Sequence, residues 1–142
     1  MQDDVVLNKA ASIERCVARA REEYACAGEG FATDFSRQDA AILNIQRACE
    51  AALDLGQHLI RRDKLGAPQS ARQVFDLLAE AGKIDAPLAE ALKKMVGFRN
   101  VAVHDYQSLQ LRITVSVITS NLDDFLRFTE AVLTGGGNRQ LD

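Results

Sequence analysis

Tryptophan is absent from this chain, proline occurs twice and glycine nine times in 142 residues. So few turn-formers cannot supply a bend every ten residues, which argues against a sandwich or barrel of short strands. Histidine is scarce too, with His58 and His104 the only two. The cysteines, Cys16, Cys26 and Cys49, are odd in number and show no C-x-x-C spacing. A disulfide framework and a structural zinc site are therefore both disfavoured, and no bound metal or cofactor is expected. No apolar run reaches the roughly 18 residues that would cross a bilayer. The acidic start, Met1-Gln2-Asp3-Asp4, lacks the basic-then-apolar order of a secretion signal. These absences predict a cytoplasmic protein with no membrane partner.

Charge of one sign is also in short supply: 17 Lys and Arg against 20 Asp and Glu leave a formal net of −3. Nothing global attracts a polyanion, so any such partner would need a local basic cluster. Apolar side chains are plentiful, at 47% of the chain against 26% charged. That is ordinary globular composition, and at this length roughly 68–70% of the unfolded surface can be buried. One domain is expected over residues 1–134, followed by a flexible tail, 135–142, opened by Gly135-Gly136-Gly137.

Five segments carry apolar residues at helical spacing. The first, about Asp4 to Cys26, has the stripe Val6, Ala10, Ile13, Val17, Ala20, Tyr24 and stops at Gly28. The second opens at Ser36, where Ser36 and Asp39 read as a capping box, and carries Ile42, Ile45, Cys49, Ala52, Gly56 and Leu59. Its basic end, Arg61-Arg62-Asp63-Lys64, is compatible with an RNA-holding rim or with plain complementation of the helix dipole, as are Lys93 and Lys94. The third runs from a Ser70/Gln73 cap to Gly82, and the fourth opens at Asp85 with Pro87 in its first turn. The fifth is expected over Gln107 to Leu133, although the β-branched run Ile113 to Ile118 could pass for a strand. Long amphipathic helices with short links predict an all-α, antiparallel up-and-down bundle of four or five helices.

Polar residues on the apolar stripes are the informative ones. The fourth helix's stripe, Leu88, Leu92, Met95, lands next on Arg99. A guanidinium there snorkels, pairs with a carboxylate, or waits for an anion. His104 follows five residues later and Tyr106 two after that. On an unbroken helix, five residues place Arg99 and His104 roughly 140° apart. They converge only if the helix kinks or ends between them, or if a second copy of the chain supplies one of them. An extended His104-Asp105-Tyr106 would put His104 and Tyr106 on one side. A cation, an imidazole and a phenol together form a kit for phosphodiester cleavage. On helix two, Asp54 and His58 stand one turn apart, either as an exposed pair or as support near Arg99.

The block Met95-Val96-Gly97-Phe98-Arg99-Asn100-Val101-Ala102-Val103-His104-Asp105-Tyr106 resembles the Arg-x(4–6)-His signature of the HEPN superfamily. More narrowly, it resembles the HepT toxins, with Phe-Arg-Asn followed by Val-His-x-Tyr. The resemblance extends to Ile45–His58, which is similar to the family's Gln- and Asp-Leu-containing helix, and to the long final helix. Gly97 and the Gly-rich tail depart from the pattern. The resemblance implies a metal-independent endoribonuclease toxin, active as a homodimer with Arg99 and His104 in a cleft between subunits. Cleavage would use the RNA's own 2′-OH, with His104 moving the proton and Arg99 gripping the phosphate. Asn100 would either orient the scissile group or cap the helix end. It further implies a partner antitoxin, a minimal nucleotidyltransferase that places AMP on Tyr106, which would also bind RNA. The alternative is a HEPN protein without nuclease activity that binds substrates for its nucleotidyltransferase.

Overall fold

The computed structural model of this protein describes residues 3–135, so most of the expected tail lies outside the described residues. Helix α1 spans Asp4–Ala27. Asp3 caps it, its carboxylate accepting from the backbone N–H groups of Val5 and Val6. Gly28 ends it in the left-handed region at φ 56°, where its N–H reaches the Tyr24 carbonyl. The predicted stripe is buried through Ala20, but the next inward position belongs to Glu23 rather than Tyr24. Glu23 is held there by Arg19 at 2.8 Å and Arg37 at 2.7 Å, while Tyr24 leans edge-on against Phe31.

After the 3₁₀ stretch Gly28–Thr33 comes α2, Phe35–Asp63. Its cap is Asp34, which accepts from the Arg37 N–H at 3.1 Å, and not Ser36 as the sequence suggests. The 3₁₀ stretch delivers the chain to Asp34 in a non-helical conformation, so Ser36 already lies in the first turn. Freed from a capping box, Asp39 does something else, described below.

Helix α3, Ala71–Glu80, starts at Ser70, whose hydroxyl accepts from the Gln73 N–H. The Gln73 side chain accepts from the backbone of Gln69, one residue before the position a capping box would use. Helix α4, Ala86–His104, is capped by Asp85 at 2.9 Å from the Leu88 N–H. It continues without interruption to His104.

The fifth predicted helix begins later than expected, because Tyr106–Ser108 form a 3₁₀ turn and α5 opens only at Leu111. Helix α5 (Leu111–Ser116) passes through a π turn, Val117–Asn121, into α6 (Leu122–Leu133). The Leu122 N–H reaches back five residues to the Val117 carbonyl. The β-branched run is thus helical: Thr114, Val117, Ile118, Leu122, Phe125 and Phe128 are buried at helical spacing, and tertiary packing overrides strand propensity.

Side-chain ties fix the directions. Asp3 meets His58 and Arg62 at one end of the α1/α2 pair, Glu23 meets Arg37 at the other, and Lys9 meets Asp54 between them. Helices α1 and α2 are therefore antiparallel. Contacts of α4 and the turn after it with α2 run the same way, from Arg99–Glu50 to Tyr106–Asp39. The result is an all-α antiparallel bundle whose core holds Ile13, Ile45, Leu55, Leu92 and Leu122, with Phe75 and Phe128 edge-to-face at 5.7 Å. No helix among the described residues is long and apolar enough to cross a membrane.

Helices α2 and α3 pack closely at Gly56. A Cβ on buried Gly56 would lie 2.6 Å from Cγ1 of fully buried Val74. Gly56→Ala therefore sets a helix-propensity gain of about 1 kcal/mol against overpacking that costs about 1–3 kcal/mol. Val74 is stiff at χ1 and walled in, so the substitution should lower the urea midpoint of unfolding. In a Val74→Ala background, where only the milder 3.2 Å approach to Leu78 Cδ1 remains, the same change should cost less.

Candidate functional site

The motif residues occupy the last turn and a half of α4 and the turn after it. Arg99 packs across to α2, with its side chain 27% exposed. Its Nη1 donates to the Asn100 side-chain oxygen at 2.9 Å. Its Nε is shielded from solvent and makes no hydrogen bond, although Glu50 Oε2 lies 3.5 Å away. Glu50 is itself shared with Gln46. The guanidinium is thus loosely tethered rather than saturated, which is the condition for a cation that receives an anion. Asn100 lies inside α4, whose C-cap is Asp105, so it steadies Arg99 and does not cap the helix end.

His104 is the last residue of α4, exposed, with no hydrogen bond or ion pair to any described residue. Because α4 is unbroken between Arg99 and His104, neither a kink nor a helix end brings them together, and one chain presents them roughly 140° apart. The segment after His104 is not extended either. Asp105 turns the chain at φ −151° and ψ 53°, and Tyr106 opens the 3₁₀ turn.

Tyr106 folds back onto α2 instead of lying alongside His104. Its hydroxyl donates to the Asp39 carboxylate. Burial, and then the Asp39 carboxylate, push its phenol up to about 12. The ring is still 43% exposed. With exposed Phe35 and fully buried Thr114, whose hydroxyl has no partner among the described residues, Tyr106 and Asp39 line a cavity of about 270 Å³.

Asp39 and Glu50 are the site residues that sequence reading missed. They stand eleven residues apart, three turns of α2, and so share one face. Their shared face was the only signal in the sequence, and nothing in it pairs them with Arg99 and Tyr106.

Asp54 and His58 behave differently from the predicted pair. Asp54 binds Lys9 of α1 at 3.2 Å, and His58 Nε2 lies 2.7 Å from Asp3, where Arg62 joins at 3.1 Å. The His58 hydrogen bond, with help from Arg62, holds the Asp3 carboxyl down at about 2. Both residues sew α1 to α2, and neither contacts Arg99. The basic clusters are also partly spent: Arg62 pairs with Asp63 and Asp3, and Lys93 with Asp76 and Glu90. Cys49 is buried, and burial pushes its thiol to about 12. Among the described residues no group of three or more His, Cys, Asp or Glu side chains is placed to hold a metal ion. Gly97, which departs from the family pattern, leaves room for the Arg72 guanidinium, 2.9 Å from where a Cβ would be.

This all-helical bundle is the fold of a HEPN domain. Residues 13–132 match the family described as ribonuclease HepT-like. The chain is 48% identical over 130 residues to the mRNA nuclease HepT of Shewanella oneidensis, covering 92% of this chain and 97% of that protein. Its fold is similar to that of the tri-AMPylated Shewanella oneidensis HEPN toxin in complex with MNT antitoxin, with TM-score 0.88 and 46% identity over 93% of this chain and 98% of that one. It is also similar to a toxin–antitoxin crystal structure with AMP-PNP, at TM-score 0.86 and 46% identity over 92% and 99% of the two chains. The chain belongs to the HepT-like ribonuclease family.

The Asp39 contact generates a direct check. The carboxylate stabilises the protonated phenol, so Asp39→Asn should lower the Tyr106 pKa from about 12 while leaving it above 10, since burial, the larger cause, remains. An ultraviolet titration of the phenolate in a Tyr24→Phe background reads Tyr106 alone.

Proposed function

We propose that this protein is a metal-independent endoribonuclease toxin, active as a homodimer and neutralised by a nucleotidyltransferase that adds AMP to Tyr106. The observation that carries the proposal is the geometry of α4. Arg99 and His104 are held on one rigid helix at an angle that keeps them apart within a chain, so a shared site draws them from two chains. The surrounding surface supports that arrangement. Leu43 lies on the Asp39–Glu50 face of α2, and Val103 lies on the Arg99 face of α4. Both are large apolar side chains at least 40% exposed, and Phe35 at the start of α2 is 71% exposed.

In this reading Arg99 grips the scissile phosphate by paired hydrogen bonds and stabilises the charge of the pentacoordinate state. Asn100 fixes the orientation of the guanidinium. His104 takes the proton of the 2′-OH as it attacks phosphorus, or gives one to the departing 5′-oxygen. The products are a 2′,3′-cyclic phosphate and a 5′-hydroxyl. Tyr106 lies two residues from His104 and is exposed enough for RNA to stack on it and for a transferase to reach it. AMP on its oxygen would bring negative charge and bulk into the path of RNA.

The purified protein should cut RNA in the presence of a chelator, and His104→Ala should abolish cutting without dissociating the dimer. Arg99→Ala should lower kcat/KM by about 10²–10³. Mixing the two inactive variants tests the composite site. Random reassociation makes half the dimers heterodimers, each with one intact and one doubly impaired site, so about a quarter of wild-type activity should return. Sites contained within single chains would give no recovery.

A further inference from the structure

A protein with a formal charge of −3 must hold RNA by a local concentration of cations. Arg62 at the end of α2 and Lys93 within α4 are already committed to carboxylates. A different surface has cations to spare. Between α1 and α2 runs a groove of about 470 Å³, into which Lys9, Arg15, Arg19 and Arg47 project alongside Asp54 and Glu50. Lys9 is matched by Asp54, and Arg19 by Glu22 and Glu23. Arg15 reaches only the Ser12 hydroxyl, and the Arg47 side chain has no hydrogen bond or ion pair to any described residue. Both guanidiniums act on Cys16, pulling its thiol down while burial raises it further, so both charges flank that point of the groove.

The groove is continuous with the site described above. Glu50 lines it and also stands 3.5 Å from Arg99. A chain of phosphates lying across Arg15 and Arg47 would lead past Glu50 to the motif arginine. None of the large exposed apolar side chains of the described residues lines this groove. A protein partner's interface core would need such groups, whereas a phosphate backbone needs only the forked donors of arginine. We propose that the α1/α2 groove is the track that holds single-stranded RNA flanking the scissile bond, with Arg15 and Arg47 as its phosphate-binding residues. The proposal rests on the ribonuclease reading and adds to it where the substrate lies.

The test uses the full chain carrying His104→Ala, so that binding is read without cleavage, and a labelled unstructured RNA oligonucleotide. Arg15→Gln/Arg47→Gln should raise the Kd about ten-fold or more at 0.1 M salt. It should also reduce the slope of log affinity against log salt by about 1.4, or about 0.7 for each lost phosphate contact. With His104 intact, the pair should raise KM and leave kcat within about two-fold, because neither residue touches the reacting atoms. Arg61→Gln/Lys64→Gln, which removes the same charge at the far end of α2, should leave Kd and slope nearly unchanged. An unaltered Kd and slope in the groove pair, or an equal loss in the control pair, overturns the track. So does a groove pair that keeps its RNA affinity but no longer binds the nucleotidyltransferase, which would make the groove a protein-docking surface. Loss of the ribonuclease reading is seen separately, as RNA cutting absent in wild type or unchanged by His104→Ala.

Discussion

Helix α4 sets the terms for the rest of the site. Asp85 and Pro87 start it cleanly, and its buried stripe, with Leu88, Leu92, Met95 and Ala102 facing inward, keeps it helical through the two valines that weaken it locally. The hydrogen-bond ladder then fixes the angle between Arg99 and His104. A side chain can change rotamer, but it cannot travel around its own helix. On the proposed function, convergence of the two side chains is therefore a matter of assembly rather than of local flexibility.

Helix α2 is the second half of the frame. One of its faces carries Asp39, Leu43, Gln46 and Glu50, and two of these receive the motif, Glu50 beside Arg99 and Asp39 on the Tyr106 hydroxyl. The opposite side supplies the core. The same helix also borders the α1 groove, so one 29-residue element links the packed interior, the motif and a basic channel. The 3.5 Å contact between Arg99 and Glu50 suits such a position: it keeps the guanidinium near α2 without a saturated pairing, as the proposed function requires.

Much of this was legible in the sequence. Period-3.6 apolar stripes gave the helices and much of the core, Ile13, Ile45 and Leu92 included, whereas Leu55, Ile60, Val96 and Phe128 are buried beside the stripes, on helix sides that only packing against further neighbours covers. Caps with an unambiguous acceptor, Ser70 and Asp85, were placed correctly. Ser36 was not, since Asp34 two residues earlier has equal capping chemistry and only the preceding 3₁₀ stretch decides between them. The start of α5 was misplaced for a related reason: Tyr106 is drawn onto Asp39 from 67 positions away, and no local pattern reports a contact of that range. Inward-facing Glu23 escaped because a carboxylate is buried only where two arginines meet it, one of them on another helix. At the site, the motif itself was readable, but its receiving carboxylates were not. Asp54 and His58, read together from their spacing, turn outward to different partners on α1.

The contact between Tyr106 and Asp39 makes the phenol's hydrogen structurally significant. An esterified tyrosine oxygen has no hydrogen to donate, and a phosphate attached there would face the Asp39 carboxylate as one anion faces another. Substitution at that single oxygen thus turns the clasp between the 3₁₀ turn and α2 into a repulsion, and the ring would be driven off its seat. A covalent mark on Tyr106 would in this way reshape the surface beneath it as well as occupy the space above it.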